Sequence, residues 1–213
     1  MLEHYLTVKE EGFHEIHIQK SRFIGYVKRT ETEEEAQAFI QRIKKEHNQA
    51  NHNCSAYMIG EQNLIQKAND DGEPSGTAGV PMLEVLKQMD LKDTTVVVTR
   101  YFGGIKLGKG GLIRAYSTSV SEALRQIGIV ECSLMQEIHI HVTYDLIGKL
   151  ENELRGNEHL IDDIIYAENV TFHVLVPFSN TEAFQSWVMD LTSGKAGIEC
   201  KDNKYVEKER ADI

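Results

Sequence analysis

The chain has 213 residues, a formal net charge of −10, 41% hydrophobic and 26% charged residues, an ordinary globular composition with room for one large domain or two smaller ones. No apolar run approaches the ~20 residues of a membrane helix, and no basic-then-apolar leader opens the sequence. Three scattered cysteines, Cys54, Cys132 and Cys200, form neither a disulfide framework nor a CxxC metal pair, so a reduced, cytoplasmic chain with no membrane partner is expected.

In chain order, Phe13–Gln19 and Arg22–Thr30 alternate as strands. Thr32 with Glu35 is a capping box, and Ala36, Phe39, Ile40 and Ile43 carry a helix to about His47. Cys54–Gly60 and Asn63–Ala68 are strands around a turn at Gly60-Glu61-Gln62. Asn69–Gly79 is a loop, with Thr77 capping the next helix, Pro81 in its first turn, and Met82, Leu83, Leu86 and Met89 on its apolar face. The continuous apolar run in Thr94–Phe102 marks a central strand. Leu112, Tyr116, Val120, Leu124 and Ile127 then recur at helical spacing up to a stop at Gly128.

From Cys132 the pattern resets. Ile138, Ile140 and Val142 face one side of a strand; Leu146, Leu150 and Leu154 stripe a helix that ends at Gly156. Residues 161–168 and 170–177 form a hairpin about Glu168-Asn169. Ser179 with Glu182 makes a second capping box ahead of a helix with Phe184, Trp187, Val188 and Leu191 inward and Gly194 at its end; 197–208 is the closing strand. The order βαββαβ is a complete small α+β unit.

The chemistry concentrates before the long helix. Gly103–Lys109 spells GxxxxGK, but Gly110 stands where a P-loop places the Ser or Thr that holds magnesium, which argues against a nucleotide-hydrolysing loop. Arg100, Lys106, Lys109 and Arg114 occur with no acid between Thr99 and Tyr116, while Gly103, Gly104, Gly110 and Gly111 permit close backbone approach at a helix start. These eight residues are read as a nucleic-acid or phosphate site. The opposing reading is a turn shaped by glycine with solvated lysines. Residues 1–131 carry 16 Lys and Arg against 18 Asp and Glu, and residues 132–213 carry 7 against 15, so any phosphate contact is expected to be local and in the first half.

Tyr101 and Phe102 are read as core, with base stacking the alternative. The acidic loop Asp70–Gly76 lacks calcium-loop spacing and is read as turn chemistry; His52 and Cys54 are read as a polar strand start, not a base–thiol pair. His139, His141 and His173 share an open sheet face if the first and third strands of their unit are adjacent, but no carboxylate or cysteine partner is identified for them. No catalytic residue, cofactor or metal is assigned.

VVVTRYFGGIKLGKGGLIRAYS, preceded by GVPMLEVL and NDDGEPSGTAG, resembles the signature of the IMPACT family, and HNCSAYMIG and SRFIGYV resemble its N-terminal motifs. The resemblance implies an α+β protein of two domains. Residues 1–131 would be similar to a small-subunit ribosomal protein domain and to domain IV of elongation factor G; residues 132–213 would form a ferredoxin-like βαββαβ domain. Eukaryotic relatives regulate translation under amino-acid stress, partly through a domain this sequence lacks. The expected function is a translation-associated regulatory factor that binds RNA or the ribosome through the basic glycine-rich loop, without DNA specificity and with a protein partner open. The alternatives are an enzyme acting on a small phosphorylated substrate and a non-catalytic protein-interaction module.

Overall fold

A computed structural model describes residues 1–210. In chain order the elements are β1 (His4–Val8), β2 (Gly12–Ile18), β3 (Ser21–Arg29), α1 (Glu33–Glu46), β4 (His52–Ile59), β5 (Ile65–Asn69), α2 (Gly79–Gln88), β6 (Thr94–Tyr101) and α3 (Gly108–Ile127). Then follow β7 (Ile129–Val142), α4 (Ile147–Gly156), β8 (Leu160–Tyr166), β9 (Val170–Pro177), α5 (Thr181–Leu191) and β10 (Gly197–Glu209). The described chain divides into two compact units, one built mainly from Tyr5–Glu131 and the other mainly from Cys132–Glu207.

In the first unit the sheet order is β2-β3-β6-β4-β5. β6 lies antiparallel between β3 and β4, and every residue from Thr94 to Arg100 is buried. Its unbroken apolar run has a simple cause. Val96 and Val98 join the core that α2 and α3 cover, whereas Val97 packs with Phe39, Ile40 and Ile43 of α1. Successive side chains of a strand point to opposite faces, so a strand with helices on both faces needs apolar residues at every position.

The helix termini follow the sequence only in part. Thr32 Oγ1 accepts the Glu35 amide at 3.2 Å, but Glu35 reaches back to the amide of Glu31 rather than of Thr32, at 2.9 Å. Thr77 is not the cap of α2; its hydroxyl donates to the Pro74 carbonyl at 2.6 Å. Asp70 takes that role from the loop, accepting the amides of Gly76, Ala78 and Gly79 at 2.8, 3.0 and 2.9 Å. Burial pushes the Asp70 carboxyl up, and the three amide bonds outweigh it and hold the group below its ordinary range. A depressed folded-state pKa adds stability that is present above the unfolded value of about 3.9 and is lost as pH falls through the folded value. Asp70→Ala is therefore expected to cost about 1–2 kcal/mol at neutral pH. Urea titrations of parent and variant should show that difference shrinking as the pH is lowered below the carboxylate range.

In the second unit β7 pairs with β9, β9 with β8, and β10 with β7. Numbered within the unit, the strands run 4-1-3-2, the ferredoxin-like arrangement. Leu150 and Leu154 of α4 and Phe184 and Val188 of α5 cover Ile138, Ile140, Phe172 and Val174. One expected helix signal is overturned. Ser179 and Glu182 form no capping box; a 3-10 turn at Phe178–Asn180 leads directly into α5. α4 ends at Gly156 as its sequence implies, and the left-handed residue beyond it is Glu158, at φ +56°. The sequence does not announce β1, a five-residue strand at His4–Val8.

Candidate anion-binding cleft

The turn between β6 and α3 owes its glycines to different constraints. A Cβ on Gly103 would overlap the Lys20 carbonyl and the Ser21 amide nitrogen of the β2–β3 turn, so this glycine serves chain packing. Gly104 sits at φ +87°, a left-handed conformation that glycine adopts without strain. Gly110 is different: nothing lies within 4 Å of a Cβ built there. Gly110→Ala is expected to leave the urea midpoint unchanged or raise stability by up to about 1 kcal/mol, since alanine is the better helix residue.

α3 begins without a side-chain cap and with no acid in its first turn. Its leading amides therefore keep their unpaired hydrogens and the positive end of the helix dipole. Lys106, Lys109 and Arg114 are exposed, and none makes a hydrogen bond or ion pair among the described residues. Other cations of the same unit do have acidic partners: Arg22 faces Glu15, Lys28 and Arg42 face Glu11, and Lys44 faces Asp71.

Arg100 does not join this exposed set. Its side chain is 6% exposed and its Nη1 donates to Glu73 Oε1 at 2.6 Å. The same oxygen accepts the Tyr116 hydroxyl at 2.7 Å. Of the four basic residues of the expected site, Arg100 has an acidic partner that the local sequence does not show, because the fold brings Glu73 to it from the acidic loop. Phe102 is corrected as well. It is 45% exposed rather than core, its amide held by Asn51 Oδ1 at 2.8 Å. Tyr101 is half-buried, and its hydroxyl meets His47 Nδ1 at 2.9 Å.

A cleft of about 460 Å³ brings together Arg100, Lys106, Gly108 and Lys109 from the expected region with Asn51, His52, Glu73, Pro74, Phe102, Leu107 and Leu112. Gly103, Gly104, Gly110, Gly111 and Arg114 do not line it. His52 Nδ1 lies 2.9 Å from the Asp71 carbonyl; a carbonyl only accepts, so that nitrogen carries the proton and Nε2 faces Glu73 Oε1 at 3.8 Å. Cys54 is no nucleophile. Burial pushes its thiol up to about 12, and the Sγ donates to the Asp70 carbonyl at 3.0 Å.

In the second unit, His139 and His173 stand opposite each other on β7 and β9, with rings stacked 3.7 Å apart at 10°. The carboxylate not identified from sequence is Glu137, whose Oε1 is 2.8 Å from His139 Nε2 and 3.9 Å from His173 Nδ1. The three ligand atoms lie within 4.8 Å of one another. Lys204 Nζ also sits 3.3 Å from Glu137 Oε2, an ammonium where a cation would have to compete. His141 stands apart, its Nδ1 at Thr171 Oγ1, 2.9 Å away.

Comparison with known proteins places the two units. Residues 19–124 match the Impact N-terminal domain, and residues 140–195 match a domain of unknown function, DUF1949. The chain is 61% identical over 208 residues to the IMPACT family member YvyE of Bacillus subtilis, covering 98% of this chain and 96% of that one. It is 36% identical to the IMPACT family member YigZ of Escherichia coli, over 89% and 91% of the two chains. A crystal structure of a hypothetical protein, 32% identical, superposes with a TM-score of 0.60 over 95% of this chain and 99% of that one.

Proposed function

This chain belongs to the IMPACT family, and on that premise we propose that it is a cytoplasmic, translation-associated factor that contacts RNA, free or within the ribosome, through the turn before α3. One observation carries the reading: Lys106 just before α3, and Lys109 and Arg114 within its first two turns, stand exposed and without acidic partners where the helix start is uncapped, in a chain of net charge −10. Elsewhere on such a chain a polyanion is repelled; here three cations and the helix dipole attract phosphate oxygens. No helix among the described residues is long and apolar enough to cross a membrane. The contacts available are to backbone phosphate, which carries no sequence information, so no DNA specificity follows. In ribosome co-sedimentation at low salt, the parent is expected in the pellet and Lys106→Glu, Lys109→Glu in the supernatant. A double variant that pellets like the parent would remove the turn from the interface.

The placement of His52 favours a second reading, an enzyme acting on a small phosphorylated substrate. Its tautomer is fixed by the Asp71 carbonyl, which leaves Nε2 free to accept a proton at the wall of the cleft. That reading predicts a saturable thermal shift with sugar phosphates; the RNA reading predicts none.

A further inference from the structure

The wall of the cleft holds a donor with nothing to donate to. Arg100 uses only Nη1 on Glu73, and its Nε is buried without a partner. Buried polar groups are nearly always satisfied, so an orphan of this kind calls for a reason. The Nε and Nη2 hydrogens share one edge of the guanidinium, the edge that meets a carboxylate or phosphate side-on with two parallel hydrogen bonds. The rings of Phe23 and Phe102 lie 5.3 and 5.5 Å from the guanidinium carbon. Phe23 is fully buried, whereas Phe102 is 45% exposed, so Phe102 is the ring free to turn and admit an oxyanion.

The charges around the cleft suit such a guest. Glu73 is neutralised by Arg100, which leaves Lys106 and Lys109 as net positive charge beside the unpaired amides of α3. Phe102, Leu107, Leu112 and Pro74 supply an apolar and aromatic part to the same cavity. A phosphate alone would not use that part. A cavity of about 460 Å³ lies in the range of small-ligand sites, and an exposed aromatic ring beside a phosphate site is how proteins hold an unstacked base.

We propose that this cleft binds one nucleoside monophosphate unit, with the phosphate on the free edge of Arg100, Lys106 and Lys109, and the base stacked on Phe102. The proposal rests on reading the turn as an anion site, and it adds a pocket for a single nucleotide to a surface for backbone. The chemistry is shared by three sources: a strand terminus, an unstacked internal nucleotide, and the free nucleotide.

Isothermal titration of the full chain with AMP, CMP, GMP and UMP, and separately with adenosine and inorganic phosphate, tests it. At least one nucleotide is expected to bind about tenfold or more tightly than adenosine and phosphate. Phe102→Ala is expected to weaken that nucleotide about tenfold, the loss of one stack, and to erase its advantage over inorganic phosphate. Nucleotides that bind no better than phosphate, or that bind Phe102→Ala like the parent, would overturn the pocket. Eight-nucleotide single strands with and without a 5′-phosphate then compete for the site. Preference for the phosphorylated strand assigns a terminus, and equal competition assigns an internal nucleotide. If neither competes while the nucleotide still binds, the pocket stands for a free nucleotide and the RNA reading falls. If nucleotides fail but the parent still pellets with ribosomes in a Lys106- and Lys109-dependent way, the pocket falls and the RNA reading stands.

Discussion

Arg100→Ala is expected to destabilise the first unit by about 3–5 kcal/mol, because it strands the buried Glu73 carboxylate without its counter-charge. The side chains of the pair are 6% and 3% exposed and meet at 2.6 Å, so water does not screen the loss. Tyr116, itself fully buried, would keep its hydrogen bond to Glu73, but one neutral donor does not compensate a buried charge. The double variant Arg100→Met, Glu73→Gln is expected to recover most of the loss, since the introduced amide oxygen still accepts the Tyr116 hydroxyl and no net charge stays buried. Chemical denaturation of the three proteins checks this. An Arg100→Ala variant as stable as the parent would show that the pair adds nothing. A double variant as unstable as the single one would assign the loss to packing against Phe23 and Phe102 and not to charge.

Gly103→Ala is the second large effect, expected at about 3 kcal/mol. The methyl group would overlap backbone atoms of Lys20 and Ser21, and backbone does not move aside as a flexible side chain does. β3 begins at Ser21 and β6 ends at Tyr101, so relief would require shifting the end of a strand pair whose register is fixed from Arg22↔Tyr101 to Arg29↔Thr94. The contrast with Gly110→Ala is the sharper test. Alanine should be costly at Gly103, in the turn, and harmless at Gly110, in the first turn of α3, although both stand in the same GxxxxGKG stretch.

Much of the fold was legible because burial is periodic. β6 announced itself as a central strand through consecutive valines, and Leu112, Tyr116, Val120 and Leu124 of α3 are all buried as their spacing implies. The second unit was legible from its element order as a complete small α+β unit, its ferredoxin-like arrangement was implied by the family resemblance, and the adjacency of β7 and β9 places His139 opposite His173. What escaped depends on partners remote in sequence or on local competition. Nothing near Arg100 announces Glu73, 27 positions upstream, because ion pairs form between folded surfaces and not along the chain. Asp70 rather than Thr77 caps α2, since the loop folds the carboxylate back over three amides while the Thr77 hydroxyl bonds the Pro74 carbonyl. Phe102 reads as core by its type, yet it lies one residue past the end of β6, where the strand no longer dictates burial. Glu137 was within reach: it stands two residues before His139 on the same face of β7, as strand alternation requires.

For the candidate site, sequence supplied the basic turn and structure sorted its members. Lys106 and Lys109 remain at the cleft, Arg114 is exposed beyond it, and Arg100 belongs to a buried pair. That sorting changes the expected salt dependence. Four free cations would give a log–log slope of binding against salt near −3 on single-stranded RNA, and three give about −2, at about −0.7 per phosphate contact. Binding of the parent and of Lys106→Ala, Lys109→Ala to single-stranded RNA across a salt series therefore tests the turn most directly. The expected result is a slope near −2 for the parent, falling to about −0.7 in the variant, where Arg114 is the one cation of the set without an acidic partner and Arg100 is already neutralised by Glu73. Identical slopes in the two proteins would contradict the assignment of this turn as the phosphate-contacting surface.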